Sequence, residues 1–129
     1  MTDLLLDTHA LLWWLFDDGQ LSPTAREAIA TPEHRIWVSA ASAWEIATKA
    51  RLGKLAEAGD VPRRLPHYLR RARFLELPIS IEQSLRAGAL PGPHRDPFDR
   101  ILMAQSLITG YPLVTLDPIF HEYGIRTIW

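Results

Sequence analysis

The chain has 129 residues, of which 47% are hydrophobic and 22% charged, a balance typical of a compact folded protein and not of a disordered one. It contains no cysteine, which excludes disulfides, thiolate catalysis and cysteine-based zinc sites. No apolar run approaches the roughly 18 residues of a membrane span, and Asp3 stands where a signal peptide needs a basic region. We expect one domain over residues 1–129, located in the cytoplasm.

The net charge of -1 hides a segregation of charge along the chain. Residues 49–73 contain eight basic and two acidic residues, whereas the rest of the chain contains six basic and thirteen acidic ones. Lys49, Arg70 and Arg71 belong to this basic segment and are candidates for contact with a polyanion. An ordinary solvated helix face is the alternative.

In the first half of the chain, strands are predicted to alternate with helices. Leu4–Leu6 is apolar without polar alternation, as in a strand buried on both faces. Ser22 before Pro23 is typical of a helix cap followed by proline, and Ser39 is a plausible cap for a helix that Gly53 closes. The predicted elements are a strand at 4–6, a helix at 9–16, a helix from 23 to about 31, a strand at 35–38 and a helix from 40 to about 52.

The second half continues the alternation after an irregular, proline-containing connection. Asp96 before Pro97 predicts the start of a long helix that ends at Gly110, and the Asp99 carboxylate could reach back toward the cap. The predicted elements are a basic helix from about 65 to 73, a strand at 74–78, a helix at 81–87, the helix from 97, a strand at 112–116 and an edge strand at 125–128.

This order of elements predicts an α/β fold with a mostly parallel central sheet of four to five strands, covered by helices on both faces. In such sheets, ligands gather at the carboxyl ends of the strands. Asp7 and Asp117 each follow a strand, Asp96 and Asp99 lie in the first turn of a helix, and Glu45 lies on the helix after another strand. We therefore expect four or five carboxylates at one rim of the sheet.

Carboxylates that lie close together repel, so a bound cation is the natural way to keep them ionised. Oxygen ligands without cysteine or suitably spaced histidine favour Mg²⁺ or Mn²⁺ over zinc. Such an ion suits hydrolysis of a phosphodiester bond. The alternatives are that Asp96 and Asp99 only cap their helix, and that Glu45 only forms a surface pair with Lys49.

Four stretches of the sequence, in the right order and on the right elements, resemble the PIN-domain ribonucleases, specifically the VapC-like toxins of type II toxin-antitoxin systems. They are LDTHALLW at 6–13, VSAASAWEIATK at 38–49, DPFDR at 96–100 and LVTLD at 113–117. The resemblance implies a three-layer α/β/α PIN-like fold and metal-dependent endonucleolytic cleavage of RNA.

The resemblance also assigns roles to individual residues. It implies that Asp7, Glu45, Asp99 and Asp117 are the catalytic, Mg²⁺- or Mn²⁺-binding acids. We also expect Thr8, Ser39, Asp96 and Thr115 to support them, and the segregation of charge makes Lys49, Arg70 and Arg71 the candidates for RNA binding. The implied partners are RNA, a cognate antitoxin protein and a second copy of the chain in a homodimer.

Other classes fit less well. A haloacid-dehalogenase-like phosphatase needs an acid where this chain has His9, and a receiver-type signalling domain needs a late lysine, whereas none follows Lys54. A catalytically silent PIN-like module that only binds RNA or protein remains the main alternative. Two further groups receive no ligand or base-stacking role: Trp13 and Trp14 are expected in the core or at a dimer interface, and the five histidines share no helical spacing.

Overall fold

A computed structural model describes residues 2–129 of the chain, and within them a five-stranded sheet has the order β3-β2-β1-β4-β5. Every neighbouring pair of strands is parallel, so the prediction of a mostly parallel sheet is confirmed. The strands are β1 (Thr2–Leu6), β2 (His34–Ser39), β3 (Leu75–Leu77), β4 (Leu113–Val114) and β5 (Thr127–Ile128).

The helices connect successive strands and cover the sheet. Ser22, Ser39 and Asp96 cap their helices, as predicted, because each side chain accepts a hydrogen bond from a backbone N–H in the first turn. The helices are α1 (Thr8–Leu15), α2 (Pro23–Ala30), α3 (Ala40–Arg51), α4 (Val61–Ala72), α5 (Ile81–Ala89), α6 (Pro97–Thr109) and α7 (Ile119–Glu122), with a 3₁₀ turn at Ala56–Ala58. In this part of the chain, none of them is long and apolar enough to cross a membrane.

Two hydrophobic clusters lie on the two faces of the sheet and produce the three-layer architecture. Leu4 and Leu6 belong to one cluster and Leu5 to the other, because successive side chains of a strand point to opposite faces. The first cluster is covered mainly by α1–α4 and the second by α6 and α7. The strand β1 is thus buried on both faces, as its uninterrupted apolar run predicted.

The structure differs from the predictions in several elements. The basic helix was expected from about residue 65, but α4 begins at Val61 because Pro62 is tolerated in a first turn. Ahead of Pro66, which has no N–H to donate, Arg64 departs from helical geometry with a φ of −124°. The strands β4 and β5 are both shorter than expected, and the short helix α7 was not predicted.

The buried face of α3 also differs from the apolar stripe that helical spacing predicts, which comprises Ala43, Ile46, Ala47 and Ala50. Ala47 is exposed, whereas Ser42 and Glu45 are buried beside Ile46. A polar face is tolerated there because Thr8 contacts both polar side chains, with its hydroxyl 3.0 Å from Ser42 Oγ and 2.6 Å from Glu45 Oε1. The inward face of α3 therefore serves a polar site at the end of the sheet as well as the core.

Candidate active site

Asp7 lies at the carboxyl end of β1, where it caps α1. Its Oδ1 accepts a hydrogen bond of 2.7 Å from the N–H of Ala10, and only 7% of the residue is exposed. Burial raises the pKa of the Asp7 carboxyl, although hydrogen bonds from Thr115 and Ala10 oppose the rise. Ionised Asp7 therefore lacks full compensation within the protein.

Glu45 projects from the middle of α3 and is 5% exposed. Its Oε1 accepts a hydrogen bond of 2.6 Å from the Thr8 hydroxyl, and its Oε2 forms an ion pair with Lys49 one turn further along. Burial disfavours the charged form of Lys49, but the hydrogen bond and charge of Glu45 outweigh this effect and raise the pKa of Lys49. The Glu45–Lys49 pair anticipated as an alternative does form, yet its carboxylate is buried and not on the surface.

Asp96 and Asp99 lie in the same turn but have different partners. Asp96 Oδ1 accepts hydrogen bonds from the N–H groups of Phe98 and Asp99, at 2.9 and 3.1 Å. Asp99 does not reach back to the cap, because its side chain is shorter than the Glu or Gln of a capping box. Its Oδ2 lies 2.8 Å from Nε2 of His94 instead.

The environment of Asp99 disfavours its negative charge. Burial raises the pKa of this carboxyl to about 6, and the nearby charges of Asp96 and Glu45 add to the rise. The hydrogen bond from His94 acts in the opposite direction. Asp99 is thus a poorly neutralised carboxylate at neutral pH.

Asp117 follows β4 and is exposed. Its Oδ1 accepts a hydrogen bond of 3.0 Å from the N–H of Ile119, and its own N–H donates to Thr115 Oγ1 at 3.0 Å. These local bonds turn the chain from β4 into α7 and hold the carboxylate at the strand end.

The predicted acids converge on one cavity of about 340 Å³ at the carboxyl end of the sheet. Ser39 instead caps α3 and lines a second cavity of about 530 Å³ between α3, α4 and β3. Arg70 and Arg71 lie on the exposed side of α4 and line neither cavity. The residues that line the first cavity, hereafter the acid cavity, are Asp7, Thr8, His9, Trp13, Glu45, Lys49, Asp96, Asp99, Leu116, Asp117, Pro118 and Phe120.

The chemistry of this cavity fits a hard divalent cation. Its donors are carboxylate and hydroxyl oxygens, and the raised pKa values of Asp7 and Asp99 reflect charge that a cation would neutralise. Within residues 2–129, no three His, Asp or Glu side chains stand close enough together to hold an ion as they are. A cation in this cavity would therefore require adjustment of the side chains.

Sequence reasoning missed two residues of the site. His94 was expected to have no special role, but it contacts Asp99. The available sequence signal was its position five residues before that acid. That spacing indicates a contact only once the geometry of the loop is known. Trp13 packs against the core, as expected, but it also lines the acid cavity beside His9, whose ring stacks on it with 5.4 Å between centroids.

The raised pKa of Asp99 predicts a specific pH dependence of stability in the metal-free protein. Between pH 3.8, the ordinary pKa of an aspartate, and about 6, folded Asp99 keeps a proton that the unfolded chain has lost. Asp99 therefore destabilises the fold as the pH rises through this window, by at most about 3 kcal/mol above it. Urea unfolding at pH 5 and at pH 7.5 measures this effect. The free energy of unfolding of Asp99→Asn should exceed that of wild type by more at pH 7.5 than at pH 5, whereas Glu33→Gln, a change at an exposed site, should show no such trend. An equal difference between Asp99→Asn and wild type at both pH values would contradict this account.

The fold and the acid cavity define the class to which the protein belongs. Residues 4–125 match the model of the family described as PIN domain, so the chain belongs to the PIN-domain family, as the resemblance predicted. Ribonuclease VapC22 of Mycobacterium tuberculosis (strain ATCC 25618 / H37Rv) is 31% identical over 119 residues, which cover 91% of this chain and 88% of that protein.

Solved structures agree with the fold. The crystal structure of VapBC2 from Rickettsia felis, bound to a DNA fragment from its promoter, matches with a TM-score of 0.70 and 14% identity over 98% of this chain and 97% of that chain. The crystal structure of FitAcB from Neisseria gonorrhoeae matches with a TM-score of 0.61 and 17% identity over 96% and 95%. The predicted PIN-like α/β architecture is thereby confirmed.

Proposed function

We propose that this protein is a metal-dependent endoribonuclease and the toxin of a toxin-antitoxin pair. The observation that carries the proposal is the convergence of Asp7, Glu45, Asp99 and Asp117, from four separate parts of the chain, on one cavity at the carboxyl edge of the sheet. Membership of the PIN-domain family and the similarity to a protein named ribonuclease VapC22 support this choice of activity.

The four acids would hold Mg²⁺ or Mn²⁺, and the fold prepares each of them differently. The N–H of Ala10 orients Asp7, and Thr8 fixes one oxygen of Glu45. Asp117 is held by the turn into α7. When bound, the cation supplies a Lewis acid that activates water and offsets negative charge on the phosphodiester.

Lys49 is positioned to contact the substrate. Its ammonium group lies in the acid cavity and neutralises Glu45. A cation at Glu45 would release Lys49 from this pair, and its flexible stem would allow it to reach a phosphate oxygen.

The chain is also proposed to have protein partners. The structural neighbours named VapBC2 and FitAcB support an antitoxin, and the side chains that line the acid cavity are the surface that such a partner would need to block. A homodimer is supported by the exposed apolar side chains Ile81 and Leu85, which lie one turn apart on α5 and are 79% and 70% exposed. A location in the cytoplasm remains part of the proposal.

Arg70 and Arg71 are predicted to contact RNA phosphates away from the acid cavity. If both do so, charge reversal of the pair should weaken RNA binding and reduce the slope of log affinity against log salt by about 0.7 per lost contact. Filter binding over a range of salt concentrations measures this slope. Charge reversal of Arg86, an exposed arginine of α5, is the matched control and should leave the slope unchanged. The same slope in wild type and in the Arg70 and Arg71 variant would contradict the assignment.

The activity itself is tested by incubating the purified chain with single-stranded RNA in Mg²⁺ or Mn²⁺. We expect internal cleavage that leaves a 5′-phosphate and a 3′-hydroxyl, stops on chelation and returns when the metal is restored. The second candidate, a silent PIN-like module, is favoured only by the protein contacts that already engage Glu45 and Asp99. RNA binding without cleavage in either metal would support that candidate and contradict ours.

A further inference from the structure

We propose that His94 is a positioning residue that fixes the carboxylate of Asp99 for metal binding. This inference rests on the proposed function, because it concerns the same acid cavity, but it assigns a role to a side chain outside the four acids. Its basis is a set of contacts that hold His94 from three directions.

The first contact joins His94 directly to the acid. Nε2 of His94 lies 2.8 Å from Oδ2 of Asp99, and about a quarter of each side chain is exposed. Because an ionised carboxylate only accepts hydrogen bonds, Nε2 is the nitrogen that carries the proton in this pair. The bond occupies Oδ2 and leaves Oδ1 as the oxygen available to a cation.

The other contacts fix His94 itself. Its backbone N–H donates to Oη of Tyr123 at 3.3 Å, and its carbonyl oxygen accepts from Nη1 of Arg100 at 2.9 Å. Arg100 also donates to the carbonyl of Ala87 at 2.9 Å, at the end of α5. The loop that carries His94 is thus tied to α5, to α6 and to the residue that follows α7.

Gly92 is needed for this arrangement. A Cβ atom at this position would lie 2.5 Å from Oη of Tyr123, and the φ of Gly92 is +95°, in the region that favours glycine. The ring of Tyr123 also packs edge-on against the ring of His94, with 6.5 Å between centroids. The close approach of Tyr123 to the loop therefore sets the position of His94 relative to α6.

Positioning matters because Asp99 shares the acid cavity with the carboxylates of Asp96 and Glu45. His94, from the preceding loop, contacts the Asp99 carboxylate directly. Carboxylates that bind metals usually accept a hydrogen bond from a neighbouring group, and loss of such a neighbour typically weakens metal affinity 10–100-fold. His94 is placed to supply this hydrogen bond.

The test measures Mn²⁺ affinity of the metal-free protein from the electron paramagnetic resonance signal of free Mn²⁺. His94→Leu removes the donor and should weaken binding about 10–100-fold. His94→Gln keeps an uncharged N–H donor at a similar reach and should recover most of the affinity. His121→Leu is the matched control, because the His121 side chain lies 2.9 Å from the Thr127 hydroxyl and does not line the acid cavity.

A double-mutant cycle separates positioning from general stability. Tyr123→Phe removes the hydroxyl that holds the His94 backbone and should weaken Mn²⁺ binding in the wild-type background, but not further in the His94→Leu background. Melting temperatures of all variants without metal identify any that fail to fold.

The outcomes distinguish this inference from the proposed function. Mn²⁺ affinity that is unchanged in a folded His94→Leu variant, or equally weakened in His94→Leu and His94→Gln, would overturn the positioning role. Dependence of Mn²⁺ binding on His94 in a protein that cuts no RNA would support the inference and contradict the ribonuclease. Failure of the wild type to bind Mn²⁺ would overturn both.

Discussion

Asp99→Asn is expected to lower the rate of RNA cleavage by more than about 100-fold, because a directly coordinating carboxylate should matter more than its hydrogen-bonding neighbours. The change preserves the size of the side chain and removes its charge. The melting temperature without metal at neutral pH should rise, since burial and the charges of Asp96 and Glu45 disfavour the charge of Asp99. The measurements are single-turnover cleavage and thermal unfolding of the same preparations.

Asp96 provides the matched comparison in the same turn. Asp96→Asn should have a milder effect on cleavage, because asparagine also caps helices well. Asp96→Ala should instead cost roughly 0.5–2 kcal/mol of stability by removing the cap on the Phe98 and Asp99 N–H groups. Loss of cleavage in Asp96→Asn together with full activity in Asp99→Asn would show that the third metal ligand has been assigned to the wrong residue.

The sequence predicts the parts of the fold that depend on local signals. The uninterrupted apolar run at Leu4–Leu6 indicated a doubly buried strand, and polar caps before α2, α3 and α6 marked where those helices begin. Where two local rules compete, prediction was less reliable. Two prolines suggested an irregular connection before α4, but one lies in its first turn and the other only distorts it.

The site shows a similar division between local and long-range information. Strand ends and helix starts indicated that Asp7, Asp99 and Asp117 would face one rim, and the structure brings them to one cavity. The contact between His94 and Asp99 depends on a loop held by Tyr123 and Arg100, and Tyr123 lies 29 residues from His94 in the sequence. No helical or strand period encodes such a contact, so it could not be read from the sequence.

The burial of Glu45 is another long-range result. Spacing along α3 correctly placed Glu45 beside Lys49, but it could not show that Thr8, from a different element, lies against the same carboxylate. The apolar stripe predicted for α3 consequently included Ala47, which is exposed in the structure. Hydrophobic periodicity does not identify the buried face of a helix that carries buried polar residues, because the method assumes that only apolar side chains face inward.

The central claim is that the acid cavity binds a divalent cation in the folded state, and thermal unfolding with Mn²⁺ tests it most directly. At a free Mn²⁺ concentration of 100 times the Kd, binding to the folded state alone adds about 2.7 kcal/mol of stability, enough to raise the melting temperature by about 10 °C. Wild type and the exposed-site control Glu33→Gln should both show this rise, whereas Asp7→Asn should not. A wild type that does not respond to Mn²⁺, or an Asp7→Asn variant with the same rise, would contradict the account.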